Sequence, residues 1–360
     1  MNRVIVIGGG IAGTSAGARL SADMHVTLLE MEEALGYHAS GRSAALFEQH
    51  YGLPSTKALN RASAEFHFSH NGGYLSARGF MVLARDGEDD IFAADMAELH
   101  APRITMEEAR ALVPILDTDV VVAAAYHEEA YDIDTDRLLQ DFARTIRSSG
   151  GAVVTGARVT HVAREGNLWR VTISNGETFE AEMILNAAGA WADPVARLCG
   201  VAPLGITPHR RSMARIPAPG GHDVSRWPIF FGAAETWYAK PDAGKLLVSP
   251  ADADPVEPHD AWADDMVLAE GLARYENCVT EPVTRVETSW AGLRSFAPDK
   301  ALVLGPDPDQ PSFVWCAGQG GYGFQTSPAA SQLVADLALG RAPSLDPDIV
   351  ATLRPERLRS

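Results

Sequence analysis

Two groups of residues in this chain have types and spacings that suit chemistry. The first is Gly8-Gly9-Gly10-Ile11-Ala12-Gly13, which follows the apolar run Val4 to Ile7 and precedes a stretch of small residues and a second apolar run, His25 to Leu29, ending on Glu30. A strand, a tight turn, a helix and a second strand closing on an acid form the unit that holds a dinucleotide. Gly8 permits the turn, Gly10 lets the backbone approach a pyrophosphate, and Gly13 lets the helix pack closely on the strand. Ile11 and Ala12 open that helix, whose N-terminus faces the phosphate charge. Glu30 is placed to accept hydrogen bonds from ribose hydroxyls.

The second group is a pair of arginines, Arg211 in Pro208-His209-Arg210-Arg211-Ser212 and Arg294 in Trp290-Ala291-Gly292-Leu293-Arg294-Ser295-Phe296. A guanidinium is a planar fork that holds a carboxylate in one orientation. The plain alternative is two surface arginines, which is the reading for Arg210. No Ser/His/Asp constellation and no metal-ligand spacing accompanies them, and His38, His50 and His209 read as structural or peripheral groups. No metal is expected.

The elements that must position these residues alternate along the chain. After Glu30, the small, polar segment 36–45 suits a loop near a bound cofactor. Residues 55 to 125 mix short helices with strands such as Phe80 to Ala84. Asp134 to Ser148 reads as a helix, Ala152 to Val154 and Trp169 to Ile173 as strands, and Asn175-Gly176 as a hairpin turn into Thr178 to Ala181. Met183 to Trp191 reads as a buried strand ending in small residues. From 203 to 290 the chain is strand-rich, with Ile229 to Phe231, Thr236 to Ala239 and Lys245 to Val248, and a helix over Ala263 to Tyr275. The closing section, Ser312 to Gln325, is again strand, glycine loop and helix, the helix running to Leu339. The expected fold is therefore α/β: a Rossmann-like domain over 1–54, 131–202 and 289–360, interleaved with an α+β domain on a mixed or antiparallel sheet over 55–130 and 203–288.

Composition sets the outer limits. At 360 residues with 46% hydrophobic content the chain can bury one large or two medium cores. A formal net charge of −17 argues against nucleic acid or an anionic membrane as partner. The three cysteines, Cys199, Cys278 and Cys316, are scattered without C-x-x-C spacing, which indicates neither disulfides nor a metal site. No run reaches transmembrane length and the first strand is broken by glycines too early to act as a signal segment, so a cytoplasmic protein is expected.

Dinucleotide-type segments at the start, middle and end suit a long, extended FAD better than a nicotinamide. Four segments then carry a resemblance over nearly the whole chain: Gly36-Tyr37-His38 with Ser40-Gly41-Arg42-Ser43-Ala44-Ala45, Asn186-Ala187-Ala188-Gly189-Ala190-Trp191, Trp290 to Phe296, and Gln319-Gly320-Gly321-Tyr322-Gly323. On these the chain resembles the D-amino-acid oxidase and dehydrogenase family of flavoproteins, and within it the D-arginine dehydrogenases. The resemblance implies a glutathione-reductase-like FAD fold and noncovalent FAD, since no cysteine stands beside Arg294. It places Gly41, Arg42, Ser43, Ala44, Ala188, Gly189, Trp191 and Gly320 to Gln325, including Tyr322 and Phe324, around the cofactor. A glycine loop opening a helix there supplies N–H donors and a dipole to the negative charge of a reduced flavin.

The resemblance also implies oxidative deamination. Hydride passes from the substrate Cα to flavin N5, and the imino acid is hydrolysed to a 2-oxo acid and ammonia. Arg211 and Arg294 match the family's carboxylate-binding arginines, and Tyr51 and Tyr238 its substrate-contacting tyrosines. The chain departs from the D-arginine dehydrogenases where the side chain is read. Phe80 stands where they have an acid, and Leu46 and Glu48 replace a histidine and a threonine. With Ile229, Phe231 and Gly292 these changes favour a neutral, bulky D-amino acid. Glu48 leaves two readings open: if Leu46 to Tyr51 is helical, its carboxylate shares a face with Tyr51 and replaces the lost acid; otherwise it is a solvated charge. Oxidation of glycine, sarcosine or another secondary amine, or of a 2-hydroxy acid, is the competing enzymatic reading. A flavin-binding assembly factor is the non-enzymatic one, against which the arginine pair argues. The electron acceptor, whether oxygen, a quinone or a carrier, is left open.

Overall fold

The structure is a computed structural model describing residues 2–359, so the outermost residues of the domain division, 1 and 360, lie outside it. The chain opens with β1 (Arg3–Ile7), α1 (Ile11–Leu20), β2 (His25–Leu29) and, after a long loop, β3 (Leu46–Glu48). Next come α2 (Pro54–Ser69), β4 (Leu75–Ala77), β5 (Phe80–Arg85), α3 (Asp89–Leu99), β6 (Arg103–Ile104), α4 (Met106–Leu112), β7 (Val121–His127) and β8 (Ala130–Ile133). The middle is α5 (Thr135–Ser148), β9 (Ala152–Val154), β10 (Val159–Glu165), β11 (Leu168–Ile173), β12 (Thr178–Ala181), β13 (Met183–Asn186) and α6 (Ala192–Leu198). The remainder is β14 (Thr207–Ile216), β15 (Ile229–Gly232), β16 (Tyr238–Asp242), β17 (Lys245–Ser249), α7 (Asp265–Glu276), β18 (Thr288–Phe296), β19 (Val303–Pro306), β20 (Phe313–Ala317), α8 (Gly323–Ala338) and α9 (Pro347–Ala351).

Two large sheets organise these elements. The first has the order β19-β20-β13-β1-β2-β9, all pairs parallel except β19 with β20. Both of its faces are covered, which is why its strands are near-continuous apolar runs. Val4, Val6, Val26 and Leu28 pack towards α1, α5 and α8. Ile5, Ile7 and Leu29 pack the other way, on the β10-β11-β12 meander and α6. α5 starts where Asp134 caps it by accepting from the Arg137 amide. The Asn175-Gly176 turn forms with Gly176 at φ +87°.

The second sheet has the order β18-β14-β17-β16-β15-β5-β7-β6 and is mixed. Its strands obey the period of two: Met81, Leu83, Phe230, Ala239, Leu246 and Val248 face one core with Tyr275 of α7, and Phe80, Val82, Ile229, Phe231, Tyr238 and Leu247 face the other. The register of β14 on β18 sets Arg211 opposite Gly292 and Arg294 opposite His209, so both arginines project from that second face. A small sheet, β3-β8-β4, stands beside it.

Four expectations need correction. β18 belongs to the eight-stranded sheet, because it pairs along its whole length with β14, so the last boundary falls after Phe296 and not at 289. Leu46 to Glu48 is a strand paired with β8, not the start of a helix. The strand from Met183 ends at Asn186, where the side chain accepts from the Ala188 amide and turns the chain into a short 3-10 turn at Gly189–Trp191. Thr236 and Trp237 lie in the turn before β16, which is bent by left-handed Ala234 and Glu235.

Candidate functional site

The glycine turn between β1 and α1 is shaped by contact. Gly8 has φ +112°, and a side chain there would collide with the Ala187 carbonyl of β13's exit. A Cβ on Gly13 would collide with the Gly8 carbonyl, so the helix can approach the turn only without one. Glu30 is buried; its Oε2 accepts from the Gly9 amide at 2.6 Å and its Oε1 from the Glu32 amide at 2.9 Å. Ser40, which the sequence reading left unassigned, reaches back so that its Oγ accepts from the Ile11 amide at 3.0 Å.

One cavity of about 370 Å³ connects this turn to the arginines. It begins at Gly8, Gly10, Ile11, Ala12 and Glu30, passes Arg42, Ser43, Ala44, Ala188, Gly189 and Trp191, and ends at Arg211, Tyr238, Gly292, Arg294, Gly320, Gly321, Gly323 and Phe324. The N-termini of α1 and α8 therefore open on the same space, two positive dipole ends at separate points along it. Gly13 and Gly41 shape the walls without lining them: the Gly41 amide donates to the Gly36 carbonyl at 2.5 Å and closes the loop. The Ser43 hydroxyl accepts from the Ala45 amide at 3.1 Å.

Three of the expected cofactor residues sit differently. Arg42 borders the cavity, but its guanidinium donates to the carbonyls of Tyr37, Ala261 and Ala291 and pairs with Asp260, fastening the loop 36–45 to the eight-stranded sheet. Gln325 turns away and accepts from the Glu48 amide at 3.2 Å, because α8 presents that side to β3. Tyr322 packs on Tyr51 with ring centroids 5.5 Å apart.

The carboxylate end is built around Arg294. Its guanidinium lies against the Gly321 backbone, where any side chain would press on it. Unlike Arg42, Arg78 or Arg359, it has neither an ion pair nor a hydrogen-bond acceptor among the described residues. Burial opposes its charge, but Tyr238, Glu235, Tyr51 and Tyr322 together hold its pKa above the ordinary value. Arg211 donates through Nε to the Asp252 carbonyl at 2.7 Å, pairs through Nη1 with Glu235 at 3.4 Å, and lies 6.0 Å from the Tyr238 ring centre. The Tyr51 hydroxyl donates to the other Glu235 oxygen at 2.8 Å. Burial, followed by Glu235, pushes the Tyr51 phenol well above its usual value.

Glu235 was not foreseen. It stands in a turn with no periodicity, and its signal, two successive left-handed non-glycine residues (Ala234 φ +58°, Glu235 φ +53°), is visible only in the backbone. Lys240 was also missed: it is buried, donates to the Ala44 and Ala45 carbonyls and pairs with Asp132 at 2.9 Å.

Phe80, Ile229 and Phe231 form a closed apolar wall next to Tyr238, with Tyr51, Ala44 and Leu46 packed on it, rather than an open part of the cavity. The Phe80 ring meets Phe231 edge-on at 4.1 Å. Glu48 is not a solvated charge; it is 1% exposed and stands 3.2 Å from His127 Nε2. Of the other histidines, His38 bonds Glu32, His50 packs on His100, and His209, directly across the strand pair from Arg294, packs on Phe296. No group of metal-ligating residues occurs among the described residues, and none of their helices is long and apolar enough to cross a membrane.

A space that is long, glycine-cradled at both ends and bordered by two helix N-termini fits an extended dinucleotide. Comparison with known proteins agrees. The chain matches the FAD dependent oxidoreductase family over residues 3–337. It is 25% identical to glycine oxidase of Geobacillus kaustophilus over 95% of this chain and 94% of that one. It is 22% identical to the FAD-dependent oxidoreductase domain-containing protein 1 of Bos taurus, over 93% and 81%. Among solved structures it superimposes on L-proline dehydrogenase from P. horikoshii with a TM-score of 0.83 at 21% identity, covering 99% of this chain and 98% of that one. These relatives carry the fold and the FAD cofactor, and do not carry the narrower D-arginine dehydrogenase likeness. The chain belongs to the FAD dependent oxidoreductase family.

Proposed function

We propose that this protein oxidises the amine of a D-amino acid, with FAD held noncovalently along the cavity. The observation that supports it best is Arg294: a guanidinium at the inner end of the cavity, held charged by its surroundings and, among the described residues, without a carboxylate paired to it. A planar fork in that setting suits the α-carboxylate of a substrate, with Arg211 beside it across β14 and β18. FAD, when bound, supplies the hydride acceptor. The chain's part is to orient the substrate: Arg294 and Arg211 hold the carboxylate, Tyr51 and Tyr238 border it, and Glu235 balances the arginine charge. The apolar wall beside Tyr238 suits a substrate with a side chain of some size. No residue is needed as a nucleophile.

A second reading is oxidation of glycine, sarcosine or a related amine, favoured by the similarity to glycine oxidases over almost the whole chain. Anaerobic mixing of the flavoprotein with D- and L-amino acids, glycine, sarcosine and 2-hydroxy acids, read as loss of flavin colour, separates the two. Bleaching by bulky D-amino acids ahead of glycine and sarcosine is expected. The reverse order would reject the D-amino-acid reading.

A further inference from the structure

Behind the apolar wall lies a buried acid and base that the orientation of substrate does not use. Glu48 Oε2 and His127 Nε2 are 3.2 Å apart, and neither atom has a hydrogen-bond partner elsewhere among the described residues. His127 lies opposite Phe80 in the β5–β7 register, and its ring stacks on Phe80 with centroids 5.4 Å apart. The Glu48 backbone is tied down on both sides, its amide donating to Gln325 and its carbonyl accepting from Asn60, so the carboxylate is fixed behind the ring.

The same sheet face carries Tyr238, Phe231, Phe80 and His127 on successive strands. Phe231 lies opposite Tyr238 on one side and Val82 on the other, so Phe80 is two strands and two residues from Tyr238, about 12 Å between backbones, a span that the facing rings and a long substrate side chain fill together.

We propose that the Glu48–His127 pair sets the class of substrate side chain. Holding one shared proton, the pair is uncharged and the wall selects apolar side chains. Without that proton it places one negative charge behind Phe80 and favours a side chain ending in a cation. This rests on the amino-acid reading above and deepens it.

The surroundings decide where the proton sits. Burial raises the Glu48 carboxyl to about 7; the His50 amide, donating at 2.6 Å, and Lys57 of α2 lower it, and Glu129 raises it. Burial lowers His127 to about 4, with His50 and His100 pulling the same way and Glu129 opposing. Tyr131 on β8, Glu128 in the turn before it and Arg61 on α2 are further titratable groups around the cluster. Burial therefore favours the uncharged form of both groups, and the pair takes up or releases its proton as a unit. As pH rises the charge appears, while a terminal ammonium, with its pKa about 10.4, stays protonated.

The test uses holoenzyme and two carboxylates that cannot be oxidised at Cα as amines, pentanoate and 5-aminopentanoate, with dissociation constants read from the flavin absorbance between pH 6 and 8.5. The preference for 5-aminopentanoate should grow at least about tenfold over this range in the parent. It should stay flat in Glu48→Gln, which keeps the acceptor for the His50 amide. His127→Gln serves as a second variant and should move the midpoint of the change. A flat preference in the parent, or an equal rise in Glu48→Gln, overturns the proposal. Binding of neither compound would overturn the carboxylate reading itself and this proposal with it, whereas tight binding of both at a constant ratio would overturn only the pair.

Discussion

Tyr51 and Glu235 are joined by a 2.8 Å hydrogen bond that links the loop after β3 to the turn before β16, while the same carboxylate pairs with Arg211. Tyr51→Phe removes one hydrogen bond to a charged group, a loss of about 1.5–3 kcal/mol where that bond is made. Because Glu235 keeps Arg211, KM should rise more than kcat falls and FAD content should not change. Steady-state kinetics on the best substrate check this, and unaltered constants would show that the link contributes nothing to binding.

The two arginines should respond differently. Arg294 has no hydrogen-bonded or ion-pair partner among the described residues, so Arg294→Met removes a buried charge without stranding another. Its thermal midpoint should hold or rise while kcat/KM falls by two orders of magnitude or more. Arg211→Met leaves Glu235 with the Tyr51 hydroxyl but without its cation, so activity and melting temperature should both fall. Near-normal kinetics in both variants would remove the pair from the site.

Gly13→Ala should abolish FAD retention, because the added methyl cannot be placed without moving the turn from the helix. The ratio of absorbance near 450 nm to that at 280 nm measures it. In the parent, acid precipitation should release the yellow chromophore into solution. Colour remaining in the pellet would mean a covalent link, which the buried Cys199, Cys278 and Cys316 give no reason to expect.

Two buried groups give stability opposite pH dependences. Burial lowers His67 to about 4 despite its bonds to the Gln325 and Phe324 carbonyls. Its contribution is present above the unfolded value near 6.5 and is lost as pH falls towards 4. Glu48 is raised to about 7, so its contribution is present below the unfolded value near 4.5 and is lost as pH rises to 7. Glu48→Gln should therefore melt higher than the parent at pH 8 and lose that advantage at pH 5. A constant difference across this range would show that Glu48 is ionised throughout.

The nucleotide end was legible because its demands are local. Gly8, Gly13 and Glu30 occupy positions that a strand-turn-helix-strand unit dictates over thirty residues; the structure puts the glycines at the turn and helix start and Glu30 just after β2, its carboxylate on the Gly9 amide. The substrate end was legible only in part. Arg211 and Arg294 were marked by chemistry, but their adjacency is a register between strands some eighty residues apart. Glu235 was invisible because a backbone conformation, not a pattern, brings it in. Glu48 was misplaced because three residues of strand bear no period long enough to distinguish from a helix. Its burial depends on β8 and α8, which no local reading supplies.

The order β19-β20-β13-β1-β2-β9 has a consequence for biosynthesis. The neighbour of β1 on one side, β13, follows it by more than 170 residues, and β20 comes more than 120 residues after that. A nascent chain leaving the ribosome therefore carries β1 with one edge unpaired over that whole interval, and the glycine turn has nothing to close against until β13 emerges. The nucleotide sheet becomes complete only once β20 has emerged, so the apolar edge of β1 stays open while the more than 170 residues up to β13 are made.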